Sequence, residues 1–429
     1  MKLLAKGLVL TALLSACGYS GPPRSSQPVT ADYVVAVPAG QSAALERQYG
    51  ATVLGAPLED GTVMLGLTQA GAEAYNAQMR GQSMSARAEL NRGAFQGGGG
   101  ITAVMGGMTR VWATGGLRVW SGGMTRVWAT GSYAPVPEND TTFKRIRLNE
   151  AQSMTPNLGA GVEVAVIDTG LDLSHPAFAG ALAPAQEWWD YVSGDAVPQD
   201  QGTLGVGGYG HGTAVAGLVL QVAPNATILP LRVLGPDGSG DTANVAQAID
   251  RAVAMGANVI NLSLGSTERS SLVRDAITRA TAKNVFVVAS AGNDNLPQIT
   301  YPAADATLSG ATGGYTVSVG SVDAFDRKSS FSNYGRALEV MAPGEQLFTA
   351  APGGFKVAWS GTSMAAPLVS GSLALALGQA IRVSSKDLAK KLATNAFDVY
   401  KDNLNDGYKD MLGLKGRLDV RQFLNDVLR

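Results

Sequence analysis

The chain has 429 residues, 45% of them hydrophobic and 16% charged, with a formal net charge of −1 at pH 7. Such a length and apolar content can bury more than one core, while the sparse, balanced charge argues against nucleic acid or an acidic surface as partner. Cys17 is the only cysteine, which excludes an internal disulfide.

At the N-terminus, Lys2 and Lys6 flank an apolar run, Leu8 to Leu14, and small residues then lead into Cys17. This predicts a secretory signal over 1–16, since the apolar run falls far short of the roughly 20 residues that span a bilayer. Leu14-Ser15-Ala16-Cys17 resembles a bacterial lipobox. Lipid on Cys17 is therefore expected to tie the chain to a membrane of the bacterial cell envelope, with an extracellular location after processing as the other possibility. A plain signal peptide with an incidental cysteine is the alternative. Residues 17–30, rich in Gly, Pro and Ser, predict a flexible tether.

Over 31–95 the apolar pattern predicts a small α+β unit: strands at 33–37 and 62–67, helices at 42–49 and 70–79. Residues 96–133 are repetitive. GGMTRVWATG occurs at 106–115 and again at 122–131, so Arg-Val-Trp recurs at 110, 118 and 126. Alternation predicts short strands with Arg and Trp on one face; they form either a packed β-meander or a sticky surface for glycan, peptide or lipid headgroups. Tyr133 to Asp140, with Pro135 and Pro137, predicts an exposed linker.

From 141 to 429 strands and helices alternate. Apolar runs at 162–167, 227–233, 258–264, 285–290 and 316–320 suit buried parallel strands, and helical periodicity fills 212–222, 242–255, 269–283, 363–379 and 386–396. The fold class is doubly wound α/β, a mostly parallel sheet flanked by helices, in which chemistry gathers at the carboxyl ends of the strands. Ser363, in SGTSMAAPLV, stands where a Gly-rich turn enters an apolar helix. A serine hydroxyl needs a base to take its proton and an acid to orient that base. The chain has two histidines, His175 and His211; His211, in GYGHGTAVAGLV, opens an apolar helix, and Asp168, in VAVIDTGLDLSHP, lies at a strand end.

These three segments, in the order Asp, His, Ser, resemble the subtilisin-like serine protease (subtilase) family over about 141–429. The resemblance implies a secreted serine endopeptidase that hydrolyses polypeptide substrates through an acyl-enzyme, with Ser363 as nucleophile, His211 as general base and Asp168 orienting it. It makes His175 a structural loop residue. Asn293, in ASAGNDN, corresponds to the family's oxyanion asparagine. Ser263, Leu264 and Gly265 correspond to a substrate-pairing edge, and Ala291 and Gly292 line the primary pocket with Tyr301, Pro302 and Ala303. The unit at 31–95 is then an inhibitor-like prosegment, and self-cutting near the linker at 133–140 would free the enzyme from its lipid. No cofactor is needed for the chemistry. Asp190, Asp195 and Asp200 resemble a calcium-binding stretch of some members, although solvated surface acids are the commoner origin of such a pattern. Ala214 and Leu368 depart from the family, which frequently has histidine at both positions; neither transfers a proton.

GVGGYG at 205–210 fits a dinucleotide fingerprint by letter but follows no apolar strand. Two other classes stay open on sequence: a silent relative that binds through its Arg and Trp repeats, and a serine esterase. The latter conflicts with the absence of G-x-S-x-G.

Overall fold

The computed structural model describes residues 31–428 apart from 59, 84–85, 92–94, 98–135 and 402–403. The expected signal, Cys17, the tether and the Arg-Val-Trp repeat lie outside the described residues. Among those described, no helix is long and apolar enough to cross a membrane.

The first elements are β1 (Tyr33–Pro38), α1 (Ala39–Tyr49), β2 (Thr52–Leu54), β3 (Thr62–Leu67), α2 (Gln69–Gln78), β4 (Glu89–Leu90) and β5 (Phe95–Gly97). β1 to β4 form an antiparallel sheet in the order β2-β3-β1-β4. Side chains alternate between its faces. Val35, Val37, Val63 and Leu65 join Ala72 and Tyr75 of α2 in a core of their own. Val34, Leu54 and Met64, from the other face, join the core of the larger domain.

That domain continues with α3 (Asp140–Arg145), α4 (Leu148–Met154), β6 (Glu163–Asp168), β7 (Trp189–Asp190), α5 (His211–Val222), β8 (Thr227–Arg232) and β9 (Ser239–Gly240). Then come α6 (Thr242–Met255), β10 (Val259–Leu262), β11 (Leu264–Gly265), α7 (Ser271–Ala282), β12 (Phe286–Ser290), α8 (Ala311–Tyr315), β13 (Thr316–Val322) and β14 (Val340–Pro343). The hairpin β15 (Leu347–Ala351) and β16 (Phe355–Trp359), then α9 (Thr362–Leu377), α10 (Leu388–Thr394), β17 (Phe397–Asp398), β18 (Gly416–Arg417) and α11 (Val420–Val427) complete it. Nine strands form one sheet in the order β17-β18-β14-β13-β12-β10-β6-β8-β7. Its neighbours run parallel except for β17 and β18.

Successive residues of the central strands enter opposite cores, which makes the sheet doubly wound. Val164 and Val166 of β6 and Val288 of β12 share a core with Val215 and Leu218 of α5 and Val369 and Leu373 of α9. Ala165, Ile167 and Val287 share one with Val245 and Ile249 of α6 and Ile277 of α7. Buried on both faces, such strands read as continuous apolar runs rather than alternating ones.

Helix N-termini leave N–H groups unpaired and carry partial positive charge. The N-terminal unit supplies their partners at two helices. The Glu89 carboxylate accepts from the N–H groups of Ser271 (2.9 Å) and Leu272 (3.2 Å) at α7, and from the Ser270 and Ser271 hydroxyls. Asn91 accepts at α6 from Thr242 N through its carbonyl and from Ala243 N through Oδ1, both at 2.9 Å.

The expected strand at 258–264 is two strands. β10 stops at Leu262 and β11 begins at Leu264, because Ser263 leaves the ladder to bond with α9.

Candidate active site

His211 is the first residue of α5. The chain enters that helix through Gly210 at φ 90°, and a Cβ there would stand 2.8 Å from Pro352, so glycine is required on both counts. Asp168 is the last residue of β6 rather than the one after it. The two side chains meet with Nδ1 of His211 2.7 Å from Oδ1 of Asp168, and they are only 1% and 0% exposed. Asp168 Oδ1 also accepts from Thr169 N (2.7 Å), and Thr169 Oγ1 accepts from Gly212 N (3.0 Å), which ties the strand end to the first turn of α5. With Nδ1 turned to the carboxylate, Nε2 is the nitrogen that can exchange a proton. Trp359 of β16 stands edge-on to the imidazole at 6.2 Å.

Ser363 is the second residue of α9 and is buried. Its hydroxyl donates to the Ser263 carbonyl at 3.1 Å. A reciprocal bond follows from Pro367 inside α9. Proline has no N–H to give to the carbonyl four residues earlier, and that carbonyl, of Ser363, accepts from Ser263 Oγ instead, at 2.8 Å. Ser263 is thus bonded to Ser363 through both its side chain and its backbone.

Asn293 lies beside them. Its Oδ1 accepts from Thr362 N (2.8 Å) and Thr362 Oγ1 (3.0 Å), which fixes the amide and turns Nδ2 away from Thr362. Nδ2 is buried and has no hydrogen-bond partner among the described residues. A buried donor left unpaired costs about 1–3 kcal/mol, a cost recovered when negative charge develops in front of it, next to the N–H groups of the first turn of α9. Asn293→Ala is expected to lower kcat by about 10²–10³ with little change in KM, because that charge exists only in the transition state; steady-state kinetics on a peptide substrate checks the split.

The other expected residues also gather here. β11 presents Leu264 and Gly265 as a backbone edge, paired with β5. Ala291 and Gly292 follow β12; Gly292 has φ 102°, and a Cβ on it would stand 2.4 Å from Asn333, so only glycine fits. Ser266 pairs with Tyr301, which brings the Tyr301-Pro302-Ala303 segment to the same edge. His175 has different neighbours. Its Nδ1 accepts from Ala177 N and its Nε2 bonds to the Phe355 carbonyl, both at 3.1 Å. Those two bonds need the neutral ring, and burial, the largest influence, lowers its pKa in the same sense.

The three loop aspartates do not converge, and neither reading of them as a set holds. Asp190 is fully buried and paired with Arg232 at 2.8 Å. Asp195 Oδ1 caps Val197 N, and Asp200 is buried under α5. No group of three His, Cys, Asp or Glu among the described residues can hold a metal ion, so these residues do not fit a calcium site.

Asp200 does something that sequence reasoning missed. Its Oδ2 accepts from Gly210 N (3.1 Å) and Thr213 Oγ1 (3.0 Å), bracing the turn that carries His211. An acid a few residues before a Gly-Tyr-Gly-His turn was the available signal. Burial, the largest influence, pushes this carboxyl up to about 7; Asp168 adds to the rise, and the two hydrogen bonds and Arg232 oppose it. A raised carboxyl contributes stability in full below its unfolded pKa of about 4 and loses it as pH rises through the folded value. Asp200→Asn, which mimics the protonated acid, is expected to remove that loss. Between pH 4 and 7 the Tm of the wild type should fall relative to the variant by about 5–10 °C; parallel melting curves across this range would contradict it.

Residues 159–414 match the subtilase family, peptidase family S8. The chain belongs to the subtilase family. Thermitase of Thermoactinomyces vulgaris is 37% identical to it over 250 residues, covering 55% of this chain and 83% of thermitase. Subtilisin Savinase of Lederbergia lenta is 36% identical over 258 residues, covering 57% and 87%. Among solved structures, a cold adapted subtilisin-like serine proteinase superposes with a TM-score of 0.50 at 32% identity, covering 61% of this chain and 88% of that one. The prenylagaramide maturation protease PagA superposes with a TM-score of 0.52 at 26% identity, covering 65% and 97%. As a subtilase the chain is a subtilisin-like serine endopeptidase, which removes the silent relative and the esterase as readings of its class.

Proposed function

We propose that the chain is an exported, self-processing subtilase precursor that cleaves polypeptides with Asp168, His211 and Ser363. The observation that carries this reading is the buried Asp168–His211 bond at 2.7 Å, which leaves one imidazole nitrogen for proton transfer. Ser363 Oγ adds to the scissile carbonyl as His211 Nε2 takes its proton; Asp168 holds the tautomer and stabilises the imidazolium. Asn293 Nδ2 and the Ser363 N–H receive the oxyanion. His211 then protonates the leaving amine, and water repeats the sequence to free the acid. Substrate enters as a strand on β11, where main-chain pairing tolerates varied side chains.

The unit at 31–95 acts as an intramolecular inhibitor. Support comes from Glu89 and Asn91, which cap α7 and α6, and from β5, which occupies the β11 edge that substrate would use. Lipid on Cys17 is the proposed membrane tie, on the lipobox-like sequence alone. Digestion of casein alongside a short-chain ester tests the activity. Casein cleavage that far outpaces ester hydrolysis is expected; ester hydrolysis without proteolysis would refute the reading.

A further inference from the structure

β5 is the last described stretch before residue 136, and it lies between two strands of the catalytic domain. It is antiparallel to both. Phe95 faces Gly240, Gln96 faces Ser239 on one side and Gly265 on the other, and Gly97 faces Leu264. In an antiparallel ladder, each step forward on one strand is a step back on its partner. The pairs 96 with 265 and 97 with 264 therefore continue to 98 with 263. Ser263 is the residue whose carbonyl accepts from Ser363 Oγ, at 3.1 Å. The register thus counts position 98 as the one next to the nucleophile.

We propose that the active site cuts its own chain between Gly98 and Gly99, which rests on the assignment of Ser363 above. The cut then precedes the Arg-Val-Trp repeat instead of following it at the linker 133–140. The Ser363 oxygen bonds to the Gly98 carbonyl carbon, the Gly98–Gly99 C–N bond breaks, and the Gly99 nitrogen leaves as an amine with the proton that His211 took from Ser363. One water then hydrolyses the ester, giving a Gly98 carboxylate and restoring the serine hydroxyl. The sequence suits this register, because residues 97–100 are all glycine and oppose no side chain to the site. Glu89 and Asn91 stay on the excised piece, which keeps its caps on α7 and α6 after the cut. Arg110, Arg118, Arg126 and their paired Trp residues stay on the protease, as an N-terminal extension separate from Cys17. Any surface they bind localises the free enzyme, not its anchored prosegment.

The test is intact mass and terminal sequencing of every polypeptide recovered from the full-length wild type and from Ser363→Ala. Expected are a fragment ending at Gly98 and a protease beginning at Gly99 from the wild type, with Ser363→Ala uncut. A fragment ending elsewhere, in the linker above all, overturns the position while leaving the triad in place. Ser363→Ala cut at the same bond assigns the step to another protease and overturns self-cutting. Failure of the wild type to react with a serine-directed fluorophosphonate overturns the underlying reading instead. Gly99→Pro removes the N–H of the scissile bond and is expected to slow maturation at least about a hundredfold while the far-UV circular dichroism stays as in the wild type; cutting at the wild-type rate and bond overturns the proposal.

Discussion

Ser363→Ala abolishes proteolysis and leaves the chain folded and full length. The expected fall in kcat is on the order of 10⁶, the scale reached when a hydroxyl nucleophile is removed from such a triad. The fold tolerates the change because the serine's structural bond, from Ser263 Oγ, goes to its backbone carbonyl, which alanine keeps, and alanine is a good helix former in α9. The lost bond, Ser363 Oγ to the Ser263 carbonyl, costs about 1 kcal/mol. Casein cleavage above about a hundredth of the wild-type rate would assign the nucleophile elsewhere.

Asp168→Asn is expected to cost about 10⁴ in kcat at nearly unchanged KM. The substituted amide keeps the size of the side chain but loses the charge that stabilises the imidazolium, and one orientation of it points N–H at His211 Nδ1, which needs an acceptor there to keep its proton. The pair is fully buried, so no solvent supplies the missing acceptor. The substrate edge at β11 is formed by backbone and is untouched, which keeps KM in place. A loss under tenfold, or a loss carried by KM, would mean that Asp168 serves the fold and not the proton transfer.

The central strands and helices were legible because each is a long apolar run or a long amphipathic stretch. Val162 to Ile167 emerged as β6 one residue later, and 242–255 as α6 without change. Short elements were not legible, since two or three residues carry no periodicity: β2, β4, β5 and β9 exist because a partner strand holds them. The hairpin β15–β16 was a different miss, for Pro352-Gly353-Gly354 between two apolar runs is a turn signal in plain view. Motifs placed Asp168, His211, Ser363 and Asn293 at one site. They gave no warning that Pro367 frees the Ser363 carbonyl for Ser263, or that Asp190 is turned to Arg232, because both depend on partners 100 and 42 residues away. The register of β5 against β11 was also beyond sequence, and it moves the expected cut from the linker to the glycine run.

The most direct measurement is peptide mapping by mass spectrometry of the wild-type protein after reaction with a fluorophosphonate, alongside His211→Gln. A single phosphonyl adduct on Ser363, absent from His211→Gln, is the expected result. An adduct on another serine, or equal labelling of Ser363 without His211, would contradict the assignment of this site.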